Sequence, residues 1–579
     1  MDPRQFADPA AAYRGVTLWM LNDRLEPAEI ERQLRGFRHA GLGAVITRTF
    51  DGLGTEYLSE EWMAILQRIV AVAGEIGVGV WFQAGYMPNG IPELPEHLEA
   101  KALVARRRAE PPEPGDSTVA ERGETVYAER RLHHVLDLLS PEAGRSYVRQ
   151  AYERTYGKRF ADDLGRTVQA VWVDEPSFLP PLLPWSDRLA ALYRRRWGEE
   201  IAPHVPALFA RAGDFQRVRH RYWRTVVEMF LEGYFAEVSA WCGGHGLKFT
   251  GHLMGEETLF SQIAWTGSAM PAYGHMHIPG VDHLTRSMTW THGATWDFSG
   301  PPFLITPKQC SSVASQTGRK AALAEMYGVS SQGLTFRDRK RIGDFLAVAG
   351  INFRCLHGSF YSLRGRRKRI YPPHLSAQQP WWPDNRIVAD YFARLSYALR
   401  QGTFQADVLV IHPIESAYCV FDPLEYEFSR PDRVPDEIAA LNASLAALSE
   451  NLMKIHRGFE YGDEGLLARM GSVAAGRLGV GEMTYRAVIL PSVVSLREST
   501  VELLCRWLDS GGPVLSVGEM PTRIDGAEDE RIEELNRRIR KVANEPGALA
   551  AALAQAVPPA VEVHGLDGPC EDVWLHERC

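Results

Sequence analysis

Residues 168–178 read VQAVWVDEPSF. A mostly apolar run ends abruptly in two acids, a proline and an aromatic. This predicts a buried strand that delivers Asp174 and Glu175 to its carboxyl end, the edge of a parallel sheet where loops gather. The same texture recurs on both sides of it. GVTLWM (15–20) is followed by Pro27 at a helix start, by Ile30, Leu34 and Phe37 on one face, and by Gly41 as a stop. AVITRTF (44–50) precedes a helix with Ser59 as its cap and Trp62, Leu66 and Ile69 as its buried stripe. VGVWFQAG (78–85), LKFTGHLMGEE (247–257), AYGHMHIPGVDHL (272–284), AALAEMYG (321–328) and INFRCLHGSF (351–360) supply five more strand candidates. A helix before LKFTGH is expected to take Asp214 as its cap. Eight short apolar strands, most of them separated by amphipathic helices, predict an α/β protein with a (β/α)8 TIM-like barrel.

The barrel is expected over residues 1–403, with an insertion at about 95–145. There ARRRAEPPEPGDS breaks the rhythm, and Ser140-Pro141-Glu142 restarts a helix. The insertion reads as an excursion over the barrel mouth or a surface hairpin with a disordered tip. Past Phe404 the texture changes. ADVLVIHPIES, a helix over 433–456, YRAVILPSVV, STVELLCRWLDSGG and PVLSVG predict a smaller α/β parallel-sheet domain over 404–579, ending in C-terminal strands. That unit has neither a cysteine nucleophile on a strand-to-helix turn nor a phosphate-cradling glycine loop, so a structural or assembly role is expected, with homo-oligomer formation through it.

The 579 residues exceed one ordinary domain, and 45% hydrophobic with 23% charged residues is globular composition. A net charge of −8 argues against nucleic acid and anionic membrane surfaces as partners. No stretch approaches the roughly 20 apolar residues that span a bilayer. The start, MDPRQFADPAAAYRG, lacks a basic segment followed by an apolar core, so no signal peptide is read and a cytoplasmic location is expected. Seven scattered cysteines suit a reducing compartment, and with no HExxH they argue against zinc.

Two strand ends carry the chemistry. Glycoside hydrolysis needs one carboxyl to protonate the leaving oxygen and a second carboxylate to attack the anomeric carbon or to activate water. Glu175, beside Asp174, suits the donor, because an acidic neighbour and burial keep a carboxyl protonated. Successive strand residues point to opposite faces. Only one of the two can therefore face the substrate unless the strand has ended; Glu175 is expected to be the one presented, with Asp174 fixing backbone or neighbouring hydroxyls. Glu325, isolated between Ala324 and Met326, is costly to bury unless paired or functional, and it is the candidate nucleophile or base. Glu257 is the reserve for that role. His252, Glu256, Asp282 and His283, at the ends of the fifth and sixth strands, are candidate contacts to sugar hydroxyls. So are Asn22 and Asp23 after the first strand and His357 in the eighth. Trp19, Trp81, Tyr327, Tyr361 and Trp381 are candidate stacking surfaces for a pyranose ring, although most of the fifteen tryptophans are expected in the core. His275 and His277 share a face and read as a packed loop or a hydroxyl contact more readily than as a metal pair. The basic run YSLRGRRKRIYPP is either a solvated loop or a rim that attracts a carboxylated or sulfated substrate.

These residues resemble a family. LWMLNDRLEPAEIERQLRGFRHAGLGAV, YLSEEW, VWVDEPSF, GLKFTGHLMGEE, IPGVDHL, PKQCSSVASQTGRK with AEMYG, and YSLRGRRKRIYPPHLSAQQPWWP are similar to bacterial glycosyl hydrolases related to glycoside hydrolase family 106, the α-L-rhamnosidases, collinearly over about 15–420. The unit after 404 resembles the amidotransferase-like domain of barrel β-galactosidases. The resemblance implies a barrel, acid catalysis by glutamate with Glu175 and Glu325 at the matching strand ends, an inverting mechanism and a calcium ion in the sugar site; no ligand set for calcium is placed on this chain, and its metal residues are unknown. Acids on the fourth and seventh strands are also the layout of retaining barrel enzymes, so both stereochemical outcomes stand. Such proteins carry an acidic pair after the third strand, where this chain reads FQAGYMPNG. They also continue into β-sandwich domains, whereas this sequence stops at HERC, which favours a small glycoside or oligosaccharide as substrate.

The expected function is a glycoside hydrolase cleaving a terminal sugar, α-L-rhamnose or another deoxy-sugar, by paired-carboxylate catalysis. The alternatives are a catalytically inactive sugar-binding barrel and a lyase or isomerase acting on a charged sugar.

Overall fold

The computed structural model describes residues 1–83, 91, 93–283, 302–426, 434–565 and 568–579. Eight parallel strands form its main sheet: β1 (Val16–Leu21), β2 (Ala44–Thr49), β3 (Gly79–Phe82), β4 (Val168–Asp174), β5 (Lys248–His252), β6 (Gly280–His283), β7 (Leu323–Met326) and β8 (Phe353–Phe360). Their order is β6-β7-β8-β1-β2-β3-β4-β5, so β8 pairs with β1. The ring closes through a Thr250–Ile278 bridge just ahead of β6, with His277 and Ile278 N–H donating to the Phe249 carbonyl. The (β/α)8 barrel expected from the strand-and-helix rhythm is therefore present.

The helices arise where caps and apolar stripes coincide. In α1 (Pro27–His39), Ile30, Leu34 and Phe37 are buried. In α2 (Glu60–Ile76), the Ser59 hydroxyl accepts from the Trp62 N–H. The helix α3 (Phe215–Phe230) starts after Asp214, whose side chain makes no cap; it binds Arg217 and Arg523 instead. Next come α4 (Pro302–Gln316), α5 (Phe336–Val348) and α6 (Asn385–Leu399).

The two faces of each barrel strand go to different places. Val16, Leu18, Met20, Ala44, Ile46, Trp81, Ala170, Trp172, Leu323, Phe353 and Cys355 pack together as the barrel interior. Their neighbours Trp19, Leu21, Val45, Val80, Val171, Val173, Ala324 and Met326 join the helix-facing core. The period of two thus sorts most strand residues into one layer or the other, with exceptions at Val168, which joins the helix-facing core, and at Phe360, which joins the interior.

Two segments differ from expectation. The region around 95–145 is an antiparallel sheet of Glu99–Arg107, Ser117–Arg122 and Thr125–Leu136, joined by Leu183–Trp185 from the loop after β4. It packs apolar residues such as Leu103 and Tyr127 inward, which orders a stretch that composition alone marked as loose. The sixth strand is shorter than 272–284. Met270–Tyr273 forms a helical turn opened by Pro271, and only Gly280–His283 pairs in the sheet.

Beyond the barrel, β9 (Val408–Ile411), β10 (Phe459–Gly462), β11 (Ala487–Leu490), β12 (Val514–Ser516) and β13 (Arg540–Lys541) form a second parallel sheet in the order β10-β9-β11-β12-β13. Its first helix, α7 (Ile414–Val420), is wholly buried and packs against α3 of the barrel. No helix among the described residues is long and apolar enough to cross a membrane.

Candidate active site

The inward parity that carries Ala44, Ala170 and Leu323 also carries the charged residues nearer the carboxyl ends of the same strands. Arg48 of β2, Asp174 of β4, His252 of β5 and Glu325 of β7 meet inside the barrel and are buried. The Arg48 Nη2 stands 2.5 Å from Asp174 Oδ2. His252 Nε2 lies 2.9 Å from Glu325 Oε2 and 3.3 Å from Asp174 Oδ1. Trp172 closes the cluster from below, its ring 5.5 Å from that of His252.

Glu175 joins this cluster from an unexpected direction. The strand ends at Asp174, and Glu175 takes a left-handed backbone with φ of 51°. That turn abolishes the alternation at this one residue. A Glu175 carboxylate oxygen, a His252 ring nitrogen and an Asp282 oxygen lie within 4.8 Å of one another. Asp174, His252 and Glu325 form a second such triad. Glu175 and Glu325 thus flank one imidazole.

The protonation states separate. Burial pushes Glu175 up to about 7, helped by the adjacent Asp174 carboxylate. Burial acts on Glu325 in the same direction, but the His252 cation overrides it and holds Glu325 below the usual carboxylate range. Asp174 is likewise lowered against its burial by Arg48 and His252. His252 resists its own burial because Glu325 and Asp174 hold it well above an ordinary histidine. Asp282 is driven well up by burial and by Glu325. Near neutrality the site holds a glutamic acid in the middle of its titration, an ionised glutamate and an imidazolium. Divergent pKa values on neighbouring carboxyls are what acid/base work requires.

Two buried polar atoms here, His252 Nδ1 and Asp282 Oδ1, have no hydrogen-bond partner among the described residues. Such orphans are costly unless a ligand or water meets them.

The other expected residues divide sharply. His357 is buried close enough to feel Glu325, and burial depresses its pKa. Glu257 is half-buried near His252 and is raised by burial. Trp81 does face the barrel interior, but low in it, edge-on to Phe353 at 5.8 Å. The rest are corrections. Asp174 has both its oxygens engaged within the cluster, by Arg48 and by His252. Glu256 accepts from the N–H groups of Leu253 and Asp282 and from the Tyr273 hydroxyl, tying the ends of β5 and β6 together. Trp19 sits on the helix-facing parity and donates its indole N–H to Gln33. His283 also faces outward, its ring 6.1 Å from that of Phe345. Tyr327 has the inward parity, but φ of 79° turns it out, and its hydroxyl donates to the Arg339 carbonyl. Tyr361 accepts from the Glu26 N–H, Asn22 exchanges two bonds with Ser362, and Asp23 pairs with Arg364. Trp381 packs on Phe336 and under the Arg339 guanidinium. His277 accepts from the Phe249 N–H near the amino end of β5, away from the mouth. The stretch 84–90, where the missing acidic pair was noted, lies outside the described residues.

Arg48 went unselected in sequence, although a charged residue within the apolar run AVITRTF signals a buried partner. Phe50 and Tyr371 were likewise passed over. They line a cavity of about 1100 Å³ over the carboxyl ends of β2, β7 and β8. Tyr371 lies 6.5 Å, edge-on, from the His357 ring, and Arg48 lies 5.7 Å from the Phe50 ring. None of the residues lining this cavity belongs to the buried cluster.

A calcium ion seeks six to eight oxygen ligands. Both triads here include His252, which is held protonated, and the Asp174 oxygens are already engaged. Among the described residues this donor set does not fit calcium.

Comparison with known proteins gives the same picture. The model of glycoside hydrolase family 106, alpha-L-rhamnosidase, matches residues 134–420. A curated protein of Formosa agariphila, provisionally named a beta-glucuronidase, is 23% identical over 264 residues, 44% of this chain. The alignment spans 20% of that relative's length, so this chain matches about a fifth of it. The solved rhamnosidase from Novosphingobium sp. PP1Y superposes with a TM-score of 0.71 at 14% identity, covering 96% of this chain and 75% of that one. A beta-galactosidase from Halorubrum lacusprofundi gives 0.56 at 14% identity over 89% of this chain and 75% of that one. At such identities the superpositions speak for the fold. With the family match over its barrel and the shared architecture, the chain is related to glycoside hydrolase family 106.

Proposed function

We propose that this protein hydrolyses the bond to a terminal sugar, with Glu175 as general acid and Glu325 as its ionised partner. The observation that carries this reading is the placement of two glutamates against the one imidazole of His252, in surroundings that push their pKa values in opposite directions. Glu175 gives its proton to the glycosidic oxygen as the C1–O bond breaks. Glu325 either attacks C1 or takes a proton from the water that does. His252, pinned between Asp174 and Glu325, positions Glu325 and keeps it charged. The orphaned Asp282 oxygen is suited to a sugar hydroxyl. Glu257 remains the reserve base. For the sugar, the family match supports α-L-rhamnose or another deoxy-sugar.

A panel of aryl glycosides, with α-L-rhamnosides first, tests this. We expect turnover by the native chain and a loss of about 10²-fold or more in kcat for Glu175→Gln and for Glu325→Gln on substrates with poor leaving groups. Full activity in both variants would remove the assignment. Saturable sugar binding without turnover across the panel would favour an inactive sugar-binding barrel.

A further inference from the structure

The cavity above the carboxylate cluster carries a charge asymmetry that the hydrolytic chemistry does not use. Residues 364–369 contain four arginines, and they divide into two pairs. Arg364 bonds Asp23 at 2.9 Å. Arg367 donates to the Asn22 and Gly52 carbonyls and reaches Asp23. These two tether the loop to the ends of β1 and β2. Arg366 and Arg369 instead line the cavity, are exposed, and form no ion pair with an acid among the described residues. The acid in the same lining, Asp51, is exposed and pairs with neither. Beside them stands Tyr371, an aromatic 47% exposed, braced edge-on by Phe50 at 6.1 Å. An open flat ring in the same cavity lining as two exposed guanidiniums suits a sugar that also bears an anion: the ring takes the C–H face, and the fork geometry of arginine takes two oxygens.

We infer that Arg366 and Arg369 bind a carboxylate or sulfate group carried by a sugar substrate whose ring stacks on Tyr371, in the cavity over the carboxyl ends of β2, β7 and β8. The anionic substrate class rests on the hydrolase reading above; the anion site itself can be measured apart from it. Two exposed arginines in place of a neutral surface concentrate an acidic sugar in the cavity, an attraction that added salt screens.

Titration calorimetry on the full chain at low salt tests this with D-glucuronate, glucose 6-sulfate, glucose and inorganic sulfate. One or both acidic sugars should bind at least about tenfold tighter than glucose, and more weakly as salt is raised. Which of the two binds identifies the anion. Arg366→Ala/Arg369→Ala should lose that preference, Arg366→Lys/Arg369→Lys should keep part of it, and Arg364→Ala should bind as the native chain does. Melting curves check that each variant is folded. Equal affinity for glucose, an unaltered preference in the double alanine variant, or an equal loss in Arg364→Ala would overturn the proposal, the last by showing a diffuse charge effect. Inorganic sulfate binding as tightly as the sugars would also overturn it, since the anion alone would then account for the site. Selective binding of acidic sugars with no hydrolysis of any glycoside would leave the anion site standing and remove the hydrolase reading.

Discussion

Glu175 stands one residue past its strand, in a backbone conformation that non-glycine residues rarely adopt. The cost is offset by what the turn achieves, which is a second inward carboxyl directly after Asp174. Burial and Asp174 raise Glu175 to about 7, so the acid form required for proton donation is lost as pH rises through that value. We expect kcat/KM to fall along an alkaline limb centred near 7 and the limb to vanish in Glu175→Gln. A profile flat to pH 9 would contradict the assignment. The same shift bears on stability with a definite sign. A carboxyl raised above its unfolded value of 4.5 contributes stability below 4.5, and that contribution disappears as pH climbs through about 7. Glu175→Gln should therefore be more stable than the native chain at pH 8, by an amount on the order of 3 kcal/mol, and alike below 4.5.

At the scale of elements, the site depends on how closely β4 and β5 approach. Asp174 pairs with His252, and Val173 with Gly251. Gly251 has φ of 141°, and a Cβ there would lie 1.9 Å from the Val173 carbonyl oxygen. Gly251→Ala must push β5 off β4 and move His252 away from Asp174. We expect a loss of about 1–3 kcal/mol or more in stability, together with a fall in kcat of the protein that remains folded. Denaturant melts and active-fraction kinetics separate the two effects. The strands themselves were legible in sequence, because an apolar run ending in acids has few other readings. Which face each residue takes was not. In a parallel barrel both faces of a strand are buried, so hydrophobicity does not distinguish Trp19, which meets α1, from Leu18, which lines the interior. Glu175 and Glu325 stand out in sequence because each acid ends an apolar run. Arg48 was missed because its partner, Asp174, belongs to a strand far along the chain. Tyr327 and Glu175 show the other limit: a single left-handed residue reverses the direction that alternation predicts.

For the whole molecule, the barrel and the second sheet are joined by a buried polar lock. Glu415 of α7 accepts from His220 Nε2 of α3 at 2.9 Å and from Arg497, with Arg224 at 3.9 Å. Burial would raise Glu415, yet Arg497 and Arg224 hold it ionised. Glu415→Ala would strand three donors in the interface, and we expect it to cost about 3–5 kcal/mol, visible as a lower melting temperature. Unchanged melting would mean that this lock adds nothing to the other contacts between the two units, such as the Arg219–Asp422 pair and the Gln316 bond to the Tyr461 carbonyl. The division of labour between Glu175 and Glu325 faces its sharpest trial in leaving-group dependence. Glu175→Gln should hydrolyse a dinitrophenyl glycoside, which needs no protonation, at close to the native rate while failing on a phenyl or alkyl glycoside of the same sugar. Glu325→Gln should fail on both. Equal loss on all leaving groups in Glu175→Gln, or native rates in Glu325→Gln, would contradict it.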